Sequence, residues 1–190
     1  MASQRWYYGF RRDSCFCYLL KVGKKHFHAF YTLYSPFSNF WRTSFSIEGV
    51  QYNCVEQFYV CRKFLHFGLD PSRIMAMDNP AKMKSEGSQI EMGRNTESWN
   101  IRKVSVIRVG VLAKFSQNPS LKELILLPYF KKGHFVEASS GSDGWGIGKS
   151  FNSITDDDLL KSINQDPRNI KLNMMGHVLD SVRKELQAMK

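Results

Sequence analysis

An acid and an amine stand seven residues apart in the apolar stretch VEQFYVCRKF, residues 55–64, which is typical of a helix. At about 100° and about 1.5 Å per residue, Glu56 and Lys63 point within about 20° of each other, about 10 Å apart along the axis. This exceeds the spacing of a helical salt bridge. The two groups could bracket a small ligand. Two solvated charges at the edge of an amphipathic helix are the simpler interpretation, and spacing alone favours it.

A glycine-rich loop, SSGSDGWGIG at residues 139–148, is the second candidate for chemistry. Its glycines let the backbone approach a ligand closely. Trp145 could stack on a flat base, and Asp143 or Glu137 could bond to ribose hydroxyls or act on a proton. The loop does not fit the spacing of a P-loop. A structural turn around a core tryptophan explains it about equally well.

Two further clusters have simpler structural explanations. Lys114, Gln117 and Asn118 in KFSQNP could hold phosphate or amide groups at a helix junction. The same segment also suffices to end one helix and cap the next, and that explanation is favoured. The aromatic residues of YSPFSNFW at 34–41 could form a cage for a base, although core packing is favoured.

The elements that must position these residues are short strands and amphipathic helices. KVGKK at 21–25 predicts the turn of a strand pair, and Glu48-Gly49 predicts a hairpin over 45–53. Helices are expected at about 54–67, 71–77, from 80 onward, 99–116, 119–127, 156–163 and 174–188, with a strand at 134–139. Their expected N-caps include Ser98, Thr155 and Asn173. The pattern predicts one helix-rich α+β domain with a small β-sheet.

Composition excludes several classes of protein. With 190 residues, 43% of them hydrophobic, the chain can bury one core and is not intrinsically disordered. Its apolar runs are too short to span a membrane, and no secretory signal is recognisable. The four cysteines do not have zinc-site spacing, so no metal is expected. A cytoplasmic location is expected, with the nucleus as an alternative. The net charge of +10 favours phosphorylated or polyanionic partners.

Six segments occur in an order that resembles one known family. They are SPFSNFW at 35–41, VEQFY with Lys63 at 55–63, LAKFSQNPSL at 112–121, VEAS at 136–139, WGIG at 145–148, and LNMMG to VR at 172–183. Together they resemble the NADAR superfamily, also called the YbiA-like family, over about residues 29–187. On this resemblance, residues 1–28 are an N-terminal extension and residues 29–190 are an N-glycosidase domain of YbiA-like α+β fold.

The resemblance implies hydrolysis of the bond between ribose and a base nitrogen, with no cofactor. Family substrates are early phosphoribosylamino-pyrimidine intermediates of riboflavin biosynthesis and ADP-ribose attached to guanine. Both carry the sugar on an exocyclic amine. Such a ribosyl group can open to an imine, and a lysine amine can then replace the base before water releases the sugar.

Carried onto this sequence, the resemblance implies that Lys63 is the nucleophile and forms a Schiff base at ribose C1. Apolar burial is expected to lower the pKa of the Lys63 amine. Glu56 moves protons in ring opening and then activates water. Asp143 is the third catalytic candidate. The residues assigned to substrate binding are Asn39, Trp41, Gln117, Trp145, Gly146 and Asn173.

Two positions depart from the family pattern. The position often held by an aspartate is Ser142, and Asp143 follows one step later. A shifted loop could still present Asp143; otherwise one acid–base or ribose contact is altered. Lys103 replaces a frequent arginine and keeps its charge.

Three functions remain open. The first is hydrolysis of the riboflavin intermediates. The second is removal of ADP-ribose from guanine in nucleic acid, which the charge of +10 favours slightly. The third is a binding module for NAD-like or ADP-ribose ligands without turnover, which the presence of both Glu56 and Lys63 disfavours.

Overall fold

A computed structural model describes residues 6–8, 17–90, 95–141, 143–166 and 169–189, with side chains from residue 17 onward. The chain divides into two compact units. The first unit comprises residues 1–38 and 123–190, and the second comprises residues 39–122.

The elements follow one another as short strands and helices. In chain order they are β1 (Trp6–Tyr8), β2 (Cys17–Val22), β3 (Lys25–Phe30), β4 (Phe45–Ile47), β5 (Val50–Tyr52), α1 (Val55–His66), α2 (Ser72–Met75), α3 (Pro80–Ser88), α4 (Thr96–Gln117), α5 (Pro119–Ile125), α6 (Pro128–Lys131), β6 (His134–Glu137), a 3₁₀ turn (Phe151–Ser153), α7 (Asp156–Ile163) and α8 (Met174–Ala188). The prediction of a helix-rich α+β fold with a small sheet is confirmed.

The first unit is built on a four-stranded sheet in the order β1-β2-β3-β6. β2 and β3 are antiparallel around a turn at Gly23, whose φ is 57°, and the turn of a strand pair predicted within residues 21–25 is confirmed. β6 lies parallel to β3, with Phe27 opposite His134. Because β3 runs through residue 28, the predicted boundary between extension and domain falls inside a strand. The division into extension and domain stays a prediction.

The core of the first unit lies on both sides of this sheet. One cluster comprises Leu20, Phe27, Ala29, Val136, Ile147 and Leu159. A second, aromatic cluster comprises His28, Phe30, Phe37, Phe130 and Phe135. Phe37 is therefore a core residue, whereas Tyr34 is exposed. The favoured explanation of core packing for the 34–41 aromatics is confirmed for Phe37.

In the second unit, α1 packs against α3 and α4. The predicted hairpin is confirmed as β4–β5, with Glu48 and Gly49 both at positive φ (53° and 79°). Such a turn matches the twist of paired strands. Gly110 of α4 lies where a Cβ would be 2.6 Å from the Phe58 ring, so its missing side chain lets α1 and α4 approach.

One predicted helix start is wrong. α4 begins at Thr96, and Ser98 lies inside its first turn. The Ser98 hydroxyl donates to the Asn95 carbonyl and lies 3.0 Å from Nε2 of His66. These contacts use the hydroxyl that the sequence suggested as a cap.

Among the described residues, no helix is both long enough and apolar enough to cross a bilayer.

His28 on β3 is fully buried among aromatic rings. Burial, followed by the positive charge of Arg183, lowers the pKa of His28 from 6.5 to about 3. Between these two values the unfolded chain binds the proton more tightly than the folded chain does. The folded state therefore loses stability as the pH falls from 6.5, by about 1.4 kcal/mol per pH unit.

We expect urea unfolding to show this loss as about 2 kcal/mol between pH 6.5 and pH 5. His28→Leu should flatten the dependence of the unfolding free energy on pH, whatever its effect at pH 7. Lys25→Gln, an exposed change on the same strand, should leave the slope as it is. An unchanged slope in His28→Leu would show that His28 does not set the acid sensitivity.

Candidate active site

The start of α1 is fixed by capping contacts on both sides. Cys54 has extended backbone, and its Sγ accepts a hydrogen bond from the Gln57 N–H. The Gln57 amide oxygen accepts from the Asn53 N–H, and its Nε2 donates to backbone carbonyls at 74, 75 and 77. Gln57 therefore ties α1 to the segment around α2. This frame sets the direction in which the whole Glu56–Lys63 stripe faces.

Glu56 lies in the first turn of α1 and is only 6% exposed. Its backbone N–H donates to the Asn39 carbonyl at 3.1 Å. A carboxylate at a helix N-terminus is stabilised by the helix dipole. A buried acid in this position is a candidate for proton transfer to and from a substrate.

Lys63 lies near the end of α1 and is 9% exposed. Its Nζ donates to the Gly87 carbonyl of α3 at 2.7 Å. Burial, followed by the positive charge of Lys103, lowers the pKa of Lys63. The interpretation of Glu56 and Lys63 as two solvated charges is therefore wrong, because both side chains are buried.

Gly87 is the residue that lets α3 approach α1 so closely. A Cβ at Gly87 would lie 3.0 and 3.2 Å from the two methyl groups of Val60, one turn before Lys63. Such contacts are tight for packed side chains. The absence of a side chain at this position therefore helps to bring the Gly87 carbonyl within reach of the Lys63 amine.

Lys114 is a second buried lysine of the same unit, on α4. It is 1% exposed, and burial lowers its pKa to about 7, while Cys54 acts in the opposite direction. An amine so completely enclosed cannot contact a phosphate at the surface. The considered role of Lys114 in phosphate binding is not supported.

Gln117 and Asn118, at the end of α4, hold the segment that leads into β4. The Gln117 amide accepts from the Ser46 N–H and donates to the Ser46 carbonyl, both at 2.8 Å. Asn118 donates to the carbonyls of Ser44 and Lys114. The favoured structural explanation of KFSQNP agrees with these bonds. Substrate binding by Gln117 stays a prediction, although its amide is already engaged.

Asn39 and Trp41 precede the β4–β5 hairpin, and both are half-buried. The Asn39 side-chain oxygen is buried and receives no hydrogen bond from the part of the chain that the structure describes. Buried acceptors are almost always paired, so this oxygen is suited to accept from a ligand. Its backbone carbonyl already fixes the Glu56 N–H, which places Asn39 beside the first turn of α1.

In the first unit, the glycine-rich loop is joined to the start of α8. The backbone N–H groups of residues 173–175 donate to the carbonyls of residues 144–146. Trp145 is half-buried, and its backbone N–H donates to the exposed Asp143 carboxylate at 3.3 Å. A Cβ at Gly146 would lie 2.6 Å from the Ser139 side chain. The loop is thus ordered by its backbone, and Asp143 has a structural contact in addition to its predicted catalytic role.

Asn173 stands at the predicted N-cap position of α8 but does not cap the helix through its side chain. It adopts a left-handed conformation (φ 56°), and its amide donates to the Phe135 carbonyl and accepts from the Glu137 N–H. It joins α8 to β6. Its assignment to substrate binding stays a prediction, although its side chain is buried and both of its polar atoms are used.

Ser142, which takes the place of the frequent family aspartate, lies outside the described residues. Across residues 17–90, 95–141, 143–166 and 169–189, no three His, Cys, Asp or Glu side chains converge as metal ligands. The expectation that no metal takes part stays a prediction.

With this geometry in place, comparison with known proteins decides the family. The sequence matches the NADAR domain over residues 26–187. The chain belongs to the NADAR domain family. The predicted resemblance is confirmed.

Two relatives of this NADAR protein are named as N-glycosidases. One, from Acanthamoeba polyphaga mimivirus, is 30% identical over 142 residues, which cover 74% of this chain and 78% of the relative. The other, from Nostoc punctiforme, is 25% identical over 167 residues, which cover 85% of this chain and 92% of the relative. The NADAR protein is therefore an enzyme, a hydrolase of the N-glycosidase class, and the predicted enzyme class is confirmed.

The fold of the NADAR protein is also that of a solved structure. The Escherichia coli protein YbiA superposes with a TM-score of 0.62, 22% identity and coverage of 89% of each chain. At this identity the likeness shows the fold alone, and it confirms the predicted YbiA-like architecture.

Sequence reasoning missed two groups around Lys63 of the NADAR protein. Lys103 was identified only as a charge that replaces a frequent arginine, and Gly87 was not among the candidate residues. Both act on Lys63 from other helices, at 40 and 24 residues' distance along the chain. The only signal for Gly87 in the sequence is its lack of a side chain. Its contact with Val60 becomes visible only in the structure.

Proposed function

We propose that this NADAR protein hydrolyses the bond between ribose C1 and an exocyclic base amine, with Lys63 as the nucleophile. The proposal depends on one observation: a buried amine with a lowered pKa on the same helical stripe as a buried carboxylate. A lysine attacks only as the neutral amine, and burial increases the neutral fraction at a given pH.

The proposed reaction begins with opening of the ribose ring. Glu56 gives a proton to the ring oxygen, and C1 becomes an imine to the base nitrogen. The Lys63 Nζ adds to C1, and the base leaves as its free amine after taking up a proton. Water, deprotonated by Glu56, adds to the resulting lysine–sugar imine. The C1–Nζ bond then breaks, which releases the open-chain sugar aldehyde and restores the amine.

The Asn39 side-chain oxygen supports a substrate contact beside Glu56, because a ribose hydroxyl would satisfy this buried acceptor. The roles of Trp41, Trp145, Gly146 and Asp143 stay predictions that rest on the family resemblance. Each is tested by substitution with measurement of KM and kcat separately.

The favoured substrates are small phosphoribosylamino-pyrimidines of early riboflavin biosynthesis. The second candidate is ADP-ribose on guanine in nucleic acid, which the net charge of +10 favours. Both substrate types should be presented to the purified protein, with free base detected by chromatography. For a polynucleotide substrate KM should rise steeply with salt, because phosphate contacts release counterions. For a small metabolite KM should change little. Release of free base from neither type would overturn the proposal.

Lys103 provides a test through the pH profile. We expect Lys103→Gln to raise the pKa of Lys63, because a neighbouring positive charge is removed. The rising limb of kcat against pH, which reports the neutral amine, should then move to higher pH, and activity at neutral pH should fall. Lys82→Gln removes an exposed charge on α3 and should leave the profile in place. A shift to lower pH in Lys103→Gln would contradict the assignment.

A further inference from the structure

A cavity of about 390 Å³ lies in the second unit, where the β4–β5 hairpin meets α1 and α4. Ile47 and Glu48 come from the hairpin, and Phe58 comes from α1. A stripe of α4 with Ser105, Val106 and Val109 completes the wall. The volume lies in the range of small-ligand sites, at the lower end.

The wall of this cavity is apolar for a structural reason. Phe58 is seated against Gly110, which leaves room for the ring between the two helices. Val109 is 47% exposed. An exposed valine beside a buried phenylalanine gives a ligand an apolar surface that is already accessible.

Two guanidinium groups line the same cavity. Arg62 donates to the Glu48 carboxylate at 3.2 Å, in an ion pair exposed to solvent. Arg102, from α4, forms no ion pair or hydrogen bond with the residues that the structure describes. Exposed ion pairs contribute little stability, so an incoming anion can displace Glu48 at little cost. Planar guanidinium groups bind phosphate oxygens in pairs.

The cavity lies on a different side of α1 from the Glu56–Lys63 stripe. On α1, Phe58 lies about 200° around the axis from Glu56, and Arg62 lies about 100° from Lys63. Lys63 instead bonds to α3, whereas the cavity is closed by α4. The proposed chemistry therefore does not use this cavity.

We propose that the cavity is a second binding site, for a nucleoside monophosphate unit. The phosphate binds between Arg62 and Arg102, and the base lies against the apolar wall of Ile47, Val106 and Val109. A phosphate is favoured over other anions because two guanidinium groups line one cavity in a chain of net charge +10. The unit has two sources with the same chemistry, a free nucleotide or one nucleotide of a single strand.

Calorimetric titration with two probes tests the site. The probes are thymidine 5′-monophosphate and a single-stranded oligothymidylate of roughly eight nucleotides. Arg102→Gln removes one guanidinium, and Ser105→Trp fills the cavity without changing the charge. Lys24→Gln, at the exposed β2–β3 turn, is the matched control for charge. We expect Arg102→Gln and Ser105→Trp each to weaken binding about tenfold, and Lys24→Gln to have little effect.

The outcomes separate the two sources and the failure of the proposal. Binding of both probes, weakened by both variants, identifies a site for free nucleotides. Binding of the oligonucleotide alone, with the same losses, identifies a strand-binding site. The proposal would be overturned if neither probe binds. It would also be overturned if Arg102→Gln and Lys24→Gln weaken probe binding equally while Ser105→Trp does not weaken it. If Ser105→Trp does not fold, Arg62→Gln replaces it and is expected to give the same loss. Turnover of a small substrate should stay unchanged in Arg102→Gln, so this test is independent of the proposed reaction.

Discussion

Replacing Lys63 with alanine is expected to lower kcat for a ribosyl-amine substrate by on the order of a thousandfold or more, because the covalent route is lost. The variant should fold, since removing a buried amine also removes the cost of its desolvation. The Gly87 carbonyl loses its donor, and a water molecule can replace it. The measurement is kcat with release of free base followed by chromatography.

Two controls separate the nucleophile from its charge. Lys63→Arg keeps a positive charge but cannot form an imine, so it should be as inactive as Lys63→Ala. Lys114→Met removes a second buried lysine of the same unit and should keep the chemistry, because Lys114 is enclosed and cannot meet the sugar. Full turnover in Lys63→Ala would exclude the imine mechanism.

Replacing Glu56 with glutamine is expected to lower kcat by about a hundredfold to ten-thousandfold, the usual contribution of a general acid or base. Glutamine keeps the size of the side chain and its place in the first turn of α1. The expected loss therefore reports proton transfer and not packing. Thermal unfolding of the variant checks that the fold is kept.

The matched control is Glu97→Gln, which changes an exposed acid in the first turn of α4. It removes the same charge from a similar place on another helix and should leave kcat unchanged. Because Glu56 and Lys63 serve one reaction, the double variant should be little worse than Lys63→Ala. Additive losses would indicate that the two residues act in separate steps or separate processes.

The sequence predicted those features of the fold well that depend only on neighbouring residues. The Glu48-Gly49 turn, the Thr155 capping box and the end of α1, expected at about residue 67, all depend on neighbours within four residues. The start of α4 was misplaced because Ser98 has the chemistry of a cap but uses its hydroxyl on Asn95. Propensity identifies what a side chain can do, and tertiary contacts decide which option is used.

The candidate site was less predictable, because its contacts cross long stretches of sequence. The Gln117 amide forms a hydrogen bond with Ser46, 71 residues away along the chain. The Asn173 amide forms one with Glu137, 36 residues away. Family motifs marked both residues without separating structure from substrate contact. The spacing of Glu56 and Lys63 placed both on one helical stripe but favoured two solvated charges, and only the packing of α3 and α4 on α1 showed that both are buried. Burial decides whether such an amine is neutral often enough to react.

Reduction with borohydride during turnover should trap the lysine–sugar imine that the proposed reaction requires. We expect the protein to gain the mass of one reduced sugar less one water only when substrate is present, and peptide mapping to place the adduct on Lys63. Lys63→Arg should give no adduct. An adduct on Lys114, or rapid turnover with no adduct at any lysine, would contradict the assignment of Lys63 as the nucleophile.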